Sequence, residues 1–180
     1  NFRLSPLSFY QVNRSGAEKL YTLAADFADL KQEDVLLDLY CGTGTIGLSM
    51  ASRVKEVIGV EIVPAAIEDA RRNATENGIT NARFLCADAT DAAKQLEAEG
   101  LTPDVVVVDP PRKGCDEQAL QTVARMSPSR LVYISCNPAT LARDLARLSE
   151  LGYMATKIQP VDMFSRTAHV ESVVCLTRKE

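Results

Sequence analysis

The sequence predicts an α/β fold: a mostly parallel, doubly wound sheet with helices on both faces and an antiparallel last strand. Three observations predict it. Short apolar runs alternate with helix-period segments along almost the whole chain. The runs are β-branched and do not alternate apolar with polar, as suits parallel strands buried on both faces. The connections between them are short, which repeated β-α winding produces.

An opening helix is expected near Gly16–Leu30, ahead of a first strand at Val35–Tyr40 (VLLDLY). A glycine-rich turn then leads into a helix over Ile46–Arg53. The second strand is Val57–Glu61 (VIGVE), and the helix Ala65–Asn77 stops at Asn77-Gly78, a pairing that favours helix termination. Strand three is Arg83–Cys86, followed by a helix over Asp91–Glu99 that Gly100 ends. Strand four is Val105–Asp109 (VVVVD), with a helix over Gln118–Met126 after it. Strand five is Leu131–Cys136 (LVYISC), and its helix Thr140–Leu151 runs into Gly152. Two last strands, about Ala155–Gln159 and Glu171–Thr177, have no helix between them, so the last is expected to pair antiparallel.

Composition narrows the class. The 180 residues are 46% hydrophobic and 24% charged, enough for one full core and unlike a disordered chain. Residues 1–180 are read as a single domain, expected to be a C-terminal piece of a longer protein because it opens Asn1-Phe2-Arg3 without Met. No apolar run approaches the roughly 18 residues of a membrane span, and no signal-peptide pattern is present. The five cysteines are odd in number and none forms a C-x-x-C pair. Neither a disulfide framework nor a zinc site is indicated, and a reducing cytoplasm is the default. Net charge is −4, yet Arg112–Lys179 carries ten Lys/Arg against six Asp/Glu. A local basic face there is compatible with phosphates, and solvated surface charge is the plainer reading.

Ligands of open parallel sheets gather at the carboxyl ends of the strands, and those ends carry unusual residues here. Asp38-Leu39-Tyr40-Cys41-Gly42-Thr43-Gly44-Thr45-Ile46-Gly47 follows the first strand, and its glycines formally satisfy G-x-G-x-x-G. Strand two ends in Glu61, placed to accept hydrogen bonds from ribose hydroxyls. Asp88 follows strand three and Asp109 ends strand four. A dinucleotide needs only the glycines and one distal carboxylate. Acids at three or four successive strand ends suit S-adenosylmethionine better, because it is cationic and hydroxyl-rich with no pyrophosphate to cradle. The dinucleotide site stays as the competing reading.

Asp109-Pro110-Pro111-Arg112-Lys113-Gly114 is a loop stiffened by two prolines, either a rigid turn or a substrate-facing loop. Ser135-Cys136-Asn137-Pro138 ends strand five. A strand-end Cys is usually a small buried hydrophobe, but Cys136 lies at the functional edge beside a helix start, which favours a thiolate. Near the end, Glu171 follows the polar run Asp162–Val170 and would serve as a general base if within reach of substrate. An exposed loop is the alternative there.

Taken together, these motifs resemble the catalytic domain of the RNA (uracil-5-)-methyltransferase family, which methylates carbon 5 of uridine in tRNA or rRNA. Five segments stand in the family's order: Phe9-Tyr10-Gln11-Val12-Asn13, the Asp38–Gly44 turn, Asp109–Gly114, Ser135–Thr140 (SCNPAT) and His169-Val170-Glu171. Ser165 and Arg166 depart from it, standing where members often have Pro and His. The resemblance implies a Rossmann-like class I S-adenosylmethionine-dependent methyltransferase fold and an RNA substrate. It implies that Gln11, Tyr40, Glu61 and Asp109 contact the cofactor, with Gly42 and Asp88 lining the same pocket. It further implies Cys136 as nucleophile and Glu171 as the base. Methylation of another base or of an exocyclic nitrogen, and a catalytically silent cofactor- or RNA-binding domain, are the alternatives.

Overall fold

The structure, a computed structural model, describes residues 13–163, 167 and 170–179. Its elements are α1 (Arg14–Ala28), β1 (Val35–Leu39), α2 (Thr45–Met50) continued by a 3-10 turn at Ala51–Arg53, β2 (Glu56–Glu61), α3 (Pro64–Glu76) and β3 (Ala82–Cys86). They continue with α4 (Ala89–Ala98), β4 (Val105–Val108), α5 (Glu117–Met126), β5 (Arg130–Ser135), α6 (Pro138–Glu150), β6 (Tyr153–Val161) and β7 (Glu171–Arg178).

All seven strands form one sheet in the order β3-β2-β1-β4-β5-β7-β6. β1 to β5 are parallel, and β7 runs antiparallel to both β5 and β6. The order reverses between β1 and β4, which stay paired to their last residues, Leu39 and Val108, so the connections leaving their carboxyl ends run to opposite sides and open a crevice above them. The reversed direction of β7 matters for the site. Ser172 pairs with Ser135, so the first residue of β7 emerges at the edge where β5 hands over to Cys136.

Two apolar layers clamp the sheet. One joins Leu37, Leu39, Val106, Val108 and Tyr133 to α4, α5 and α6 through Leu96, Leu120 and Leu148. The other joins Leu36, Val57, Val107 and Ile134 to α1 and α2 through Leu20, Ala24 and Met50. β1 and β4 are buried along their whole length, which is why their sequences show no polar alternation. At the far end of the sheet, both Asp34 carboxylate oxygens accept from Arg130 Nη2 at 2.9 Å, and Arg130 Nη1 donates to Ala28 O at 2.9 Å. One guanidinium thus ties the end of α1 to the starts of β1 and β5.

The predicted elements are all present, with shifted bounds. α3 and α6 begin at Pro64 and Pro138, because proline fits the first helical turn, where its missing N–H is not needed. The final strands begin and end outside their predicted limits, and β6 is the larger surprise. From Met154 to Pro160 every residue is exposed, since β6 is the sheet's outer edge. It also carries a register shift between Ala155 and Lys157. Among the described residues, no helix is long and apolar enough to cross a membrane.

Candidate active site

The turn after β1 is shaped by backbone conformations that side chains rarely adopt. Tyr40 has φ +64°, Gly42 φ +54° and Gly44 φ +80°; for a bulky residue such as tyrosine this is a strained state found chiefly at functional sites. The three glycines of the formal motif do different work. A Cβ on Gly42 would meet nothing within 4 Å, whereas one on Gly44 would lie 3.0 Å from Phe84 and one on Gly47 2.9 Å from Asp38 Oδ2. Only Gly42 lines the cleft; Gly44 and Gly47 are there for packing. From α3, buried Asn73 holds the turn by donating to Thr43 O at 3.1 Å.

The cleft above this turn has a volume of about 870 Å³ and brings together Tyr40, Gly42, Glu61, Asp88, Asp109, Cys136 and Glu171. Gln11, Ser165, Arg166 and His169 lie outside the described residues. Glu61 is oriented by backbone: Oε2 accepts from Gly42 N at 3.2 Å, and Oε1 from Ile62 N at 2.8 Å and Val63 N at 3.0 Å. Asp88 caps α4, accepting from Asp91 N at 2.9 Å.

Electrostatically the site is overloaded with carboxylates. Burial pushes Asp109 up to about 8, helped by Glu171 and Asp38. Burial likewise pushes Asp38 up to about 7, a hydrogen bond from Gly47 N opposing it and Glu61 adding to it. Glu171 is raised by burial and lowered in part by Arg112. Cys136 is raised by burial, then by Glu171 and Asp109, while Arg112 opposes through its charge and a hydrogen bond. Here the structure corrects the expectation that the helix start favours a thiolate. Asn137, not Cys136, is the cap of α6, and burial, followed by the charges of Glu171 and Asp109, raises the thiol against the opposing Arg112.

The chemistry of the site fits S-adenosylmethionine. Asp38 Oδ1 is, among the described residues, the buried side-chain oxygen without a hydrogen-bond partner; its charge acts on Asp109 and meets that of Glu61, and Glu61, Asp109 and Glu171 line the cleft with acids suited to a cation. The open space over Gly42 admits a ligand against the backbone. Sequence reasoning missed Tyr21, on α1, which also lines the cleft and lies 3.5 Å from Thr45 Oγ1. Of the local basic excess it noted, Arg130 is drawn into the fold by Asp34 from outside that segment, whereas Arg143 and Arg147 pair with Asp144 and Glu117 of the same segment.

The sheet order, the antiparallel β7 and the crevice at the β1/β4 reversal are those of the class I S-adenosylmethionine-dependent methyltransferases. A precorrin-6y C5,15-methyltransferase from Geobacter metallireducens shares the fold, with a TM-score of 0.79 at 15% identity, covering 98% of this chain and 95% of that one. More specifically, the family model for tRNA (uracil-5-)-methyltransferase matches residues 1–179, and the chain belongs to that family. It is 52% identical over 176 residues to an uncharacterized RNA methyltransferase of Clostridium tetani, covering 98% of this chain and 38% of the relative. A relative in Lactiplantibacillus plantarum, also an uncharacterized RNA methyltransferase, is 52% identical over 99% of this chain and 39% of its own length. The tRNA (uracil-54, C5)-methyltransferase of Pyrococcus abyssi, solved with S-adenosyl-L-homocysteine, superposes with a TM-score of 0.83 at 35% identity, covering 98% of this chain and 42% of that one. The chain thus spans about two fifths of the length of the relatives it matches.

Proposed function

We propose that this chain is the catalytic domain of an S-adenosylmethionine-dependent RNA methyltransferase acting on carbon 5 of a uridine in tRNA or rRNA. Supporting this reading is one arrangement: Cys136 and Glu171 line the same cleft as Glu61 and Asp109, with Arg112 acting on both. Tyr40, Gly42, Glu61, Asp88 and Asp109 hold the cofactor, joined by Gln11. When bound, the cofactor supplies an electrophilic methyl group on a sulfonium.

The chain's own residues supply the remainder. Carbon 5 of uracil is a poor nucleophile until a thiolate adds to carbon 6 of the ring, and Cys136 makes that bond, assisted by Arg112. Once carbon 5 bears its new methyl, Glu171 removes the proton there and the Cys136 thiolate leaves, restoring the ring. The target base must leave its stack to reach the cleft, as enzymes acting on bases require.

The test is intact-protein mass after incubation with S-adenosylmethionine and RNA containing 5-fluorouridine, in which fluorine replaces the proton Glu171 would remove. A covalent adduct that vanishes in Cys136→Ala is expected. Tight cofactor binding with no adduct, in this chain or in a longer form of the protein, would sink the carbon-5 mechanism.

A further inference from the structure

The two segments that carry the proposed chemistry, the loop 110–115 after β4 and residues 136–140, which lead from β5 into the first turn of α6, are joined by hydrogen bonds. Arg112 O accepts from Asn137 Nδ2 and from Thr140 Oγ1, each at 3.2 Å. Deeper in, Asp144 is 1% exposed and shares the buried stripe of α6 with Leu141 and Leu148. Its Oδ2 accepts from Cys115 N at 2.9 Å and from the Tyr133 hydroxyl at 2.5 Å. Its Oδ1 accepts from Arg143 Nε at 2.8 Å, and Arg143 Nη2 donates onward to Lys113 O at 2.9 Å and Cys115 O at 3.2 Å. Gly114, at φ +76°, fits only because it has no side chain: a Cβ would stand 2.5 Å from Asp144 Oδ2 and 2.7 Å from Arg143 Nη2. Tyr40, raised first by burial, is raised further by Cys115, Asp116 and Asp144, so the network's influence reaches the turn after β1.

A carboxylate in an apolar stripe is a poor stabiliser, since a leucine of similar volume avoids the desolvation cost altogether. What leucine lacks is the means to fix the backbone of 113–115 from inside α6. We propose that Asp144 is a positioning residue: by clamping residues 113–115 directly and through Arg143, it sets the Arg112 guanidinium against Cys136. The proposal rests on the reading of Cys136 as nucleophile. The charged groups facing Cys136 are Glu171, Asp109 and Arg112, and of these only Arg112 favours the thiolate. Facing Asp144 are Arg143 and the neutral Tyr133 and Cys115. A displaced Arg112 leaves Cys136 to the carboxylates alone.

The experiment is the rate of Cys136 alkylation by iodoacetamide as a function of pH, resolved by peptide mass spectrometry, on the 180-residue chain with no RNA or cofactor. Asp144→Asn is expected to move the midpoint upward by roughly half a pH unit, about threefold in rate at pH 8. Arg112→Ala moves it at least as far, and the double variant no further than Arg112→Ala alone. Arg143→Gln, a change at an exposed side chain, shifts it in the same direction and serves if Asp144→Asn does not fold. Lowered melting temperatures with unmoved midpoints in both Asp144→Asn and Arg143→Gln would overturn the positioning role. Because the readout involves no methyl transfer, a missing 5-fluorouridine adduct would defeat the nucleophile reading alone. An unmoved midpoint alongside a normal adduct would defeat this proposal alone.

Discussion

Gly47 N donates to Asp38 Oδ2 at 2.8 Å, leaving Oδ1 of the same buried carboxylate with no partner. The half-satisfied acid sits under the cleft and shares its surroundings with Glu61 and Asp109. Such a cluster is tolerable while partly protonated, and becomes stable as a set of anions only when a cation arrives.

Cofactor affinity is therefore expected to depend on pH. Asp109 titrates at about 8 and Asp38 at about 7, so below these values a cationic ligand must displace protons on binding. S-adenosylmethionine should bind more weakly at pH 6 than at pH 8, by up to roughly tenfold per proton displaced per pH unit. S-adenosylhomocysteine, without the sulfonium charge, should show a shallower dependence. Calorimetric titrations across pH, in buffers of different ionisation enthalpy, measure both quantities; equal slopes for the two ligands would refute the argument.

The same shift gives a stability prediction of definite sign. Asp109 has a folded value of about 8 against an ordinary 3.8, so the folded chain binds more protons than the unfolded one between these limits. Its contribution to stability is thus lost as pH rises from about 4 to about 8. Asp109→Asn removes that loss. The ligand-free variant should melt higher than the parent at pH 8, by on the order of 1–3 kcal/mol or several degrees, with the gap closing at pH 4. Cofactor binding should fall sharply in the same variant.

Two glycines two residues apart should respond differently to alanine. At Gly42 a Cβ enters open space in the cleft, so the stability cost is the left-handed backbone alone, about 1–2 kcal/mol. The larger effect should be on ligand affinity. At Gly44 the same backbone cost is joined by contact with Phe84 at 3.0 Å, so Gly44→Ala should melt lower than Gly42→Ala. Paired thermal melts and cofactor titrations separate the two.

Most of the sheet was readable because VLLDLY, VVVVD and LVYISC are short, mainly apolar runs with no polar alternation, and β1, β4 and β5 are in fact buried. Glycine stops after α3 and α4 were equally legible: Gly78 and Gly100 have positive φ. Tyr40 was placed in the strand because nothing in a tyrosine announces φ +64°; the strain is imposed by the turn around it. Asp144 was missed although it had a signal. Leu141, Asp144 and Leu148 recur at helical spacing, and an acid on an apolar stripe implies buried partners, but those partners come from β5 and the 110–115 loop, which periodicity does not connect. Cys136 and Glu171 were proposed from motifs, while their sharing one cleft depends on β7 running antiparallel to β5.

Glu171→Gln offers the sharpest division of the proposed chemistry. Without the carboxylate, addition and methylation proceed but the proton on carbon 5 stays. The variant should accumulate a covalent, methylated adduct even with ordinary uridine RNA, and turnover should fall at least 10²-fold. Denaturing gels with labelled methyl groups detect the trapped species. A variant that turns over slowly without trapped RNA would assign proton removal elsewhere.

The exposed run Met154–Pro160 of β6 bears on how the protein behaves in bulk. A free outer strand invites a second molecule to continue the sheet, and repetition of that step yields fibres. Three features of β6 obstruct it. The register shift between Ala155 and Lys157 interrupts the ladder, Lys157 places a charge over Phe27 of α1, and Pro160 lacks a hydrogen to donate. Met154 and Ile158 nonetheless remain 52% and 61% exposed, enough apolar surface to drive polymerisation once those obstructions are gone. Replacing Lys157 and Pro160 together with valine should raise light scattering in concentrated solution well above that of the parent chain, a colloidal fate decided at a strand outside the cleft; equal scattering from the two would refute it.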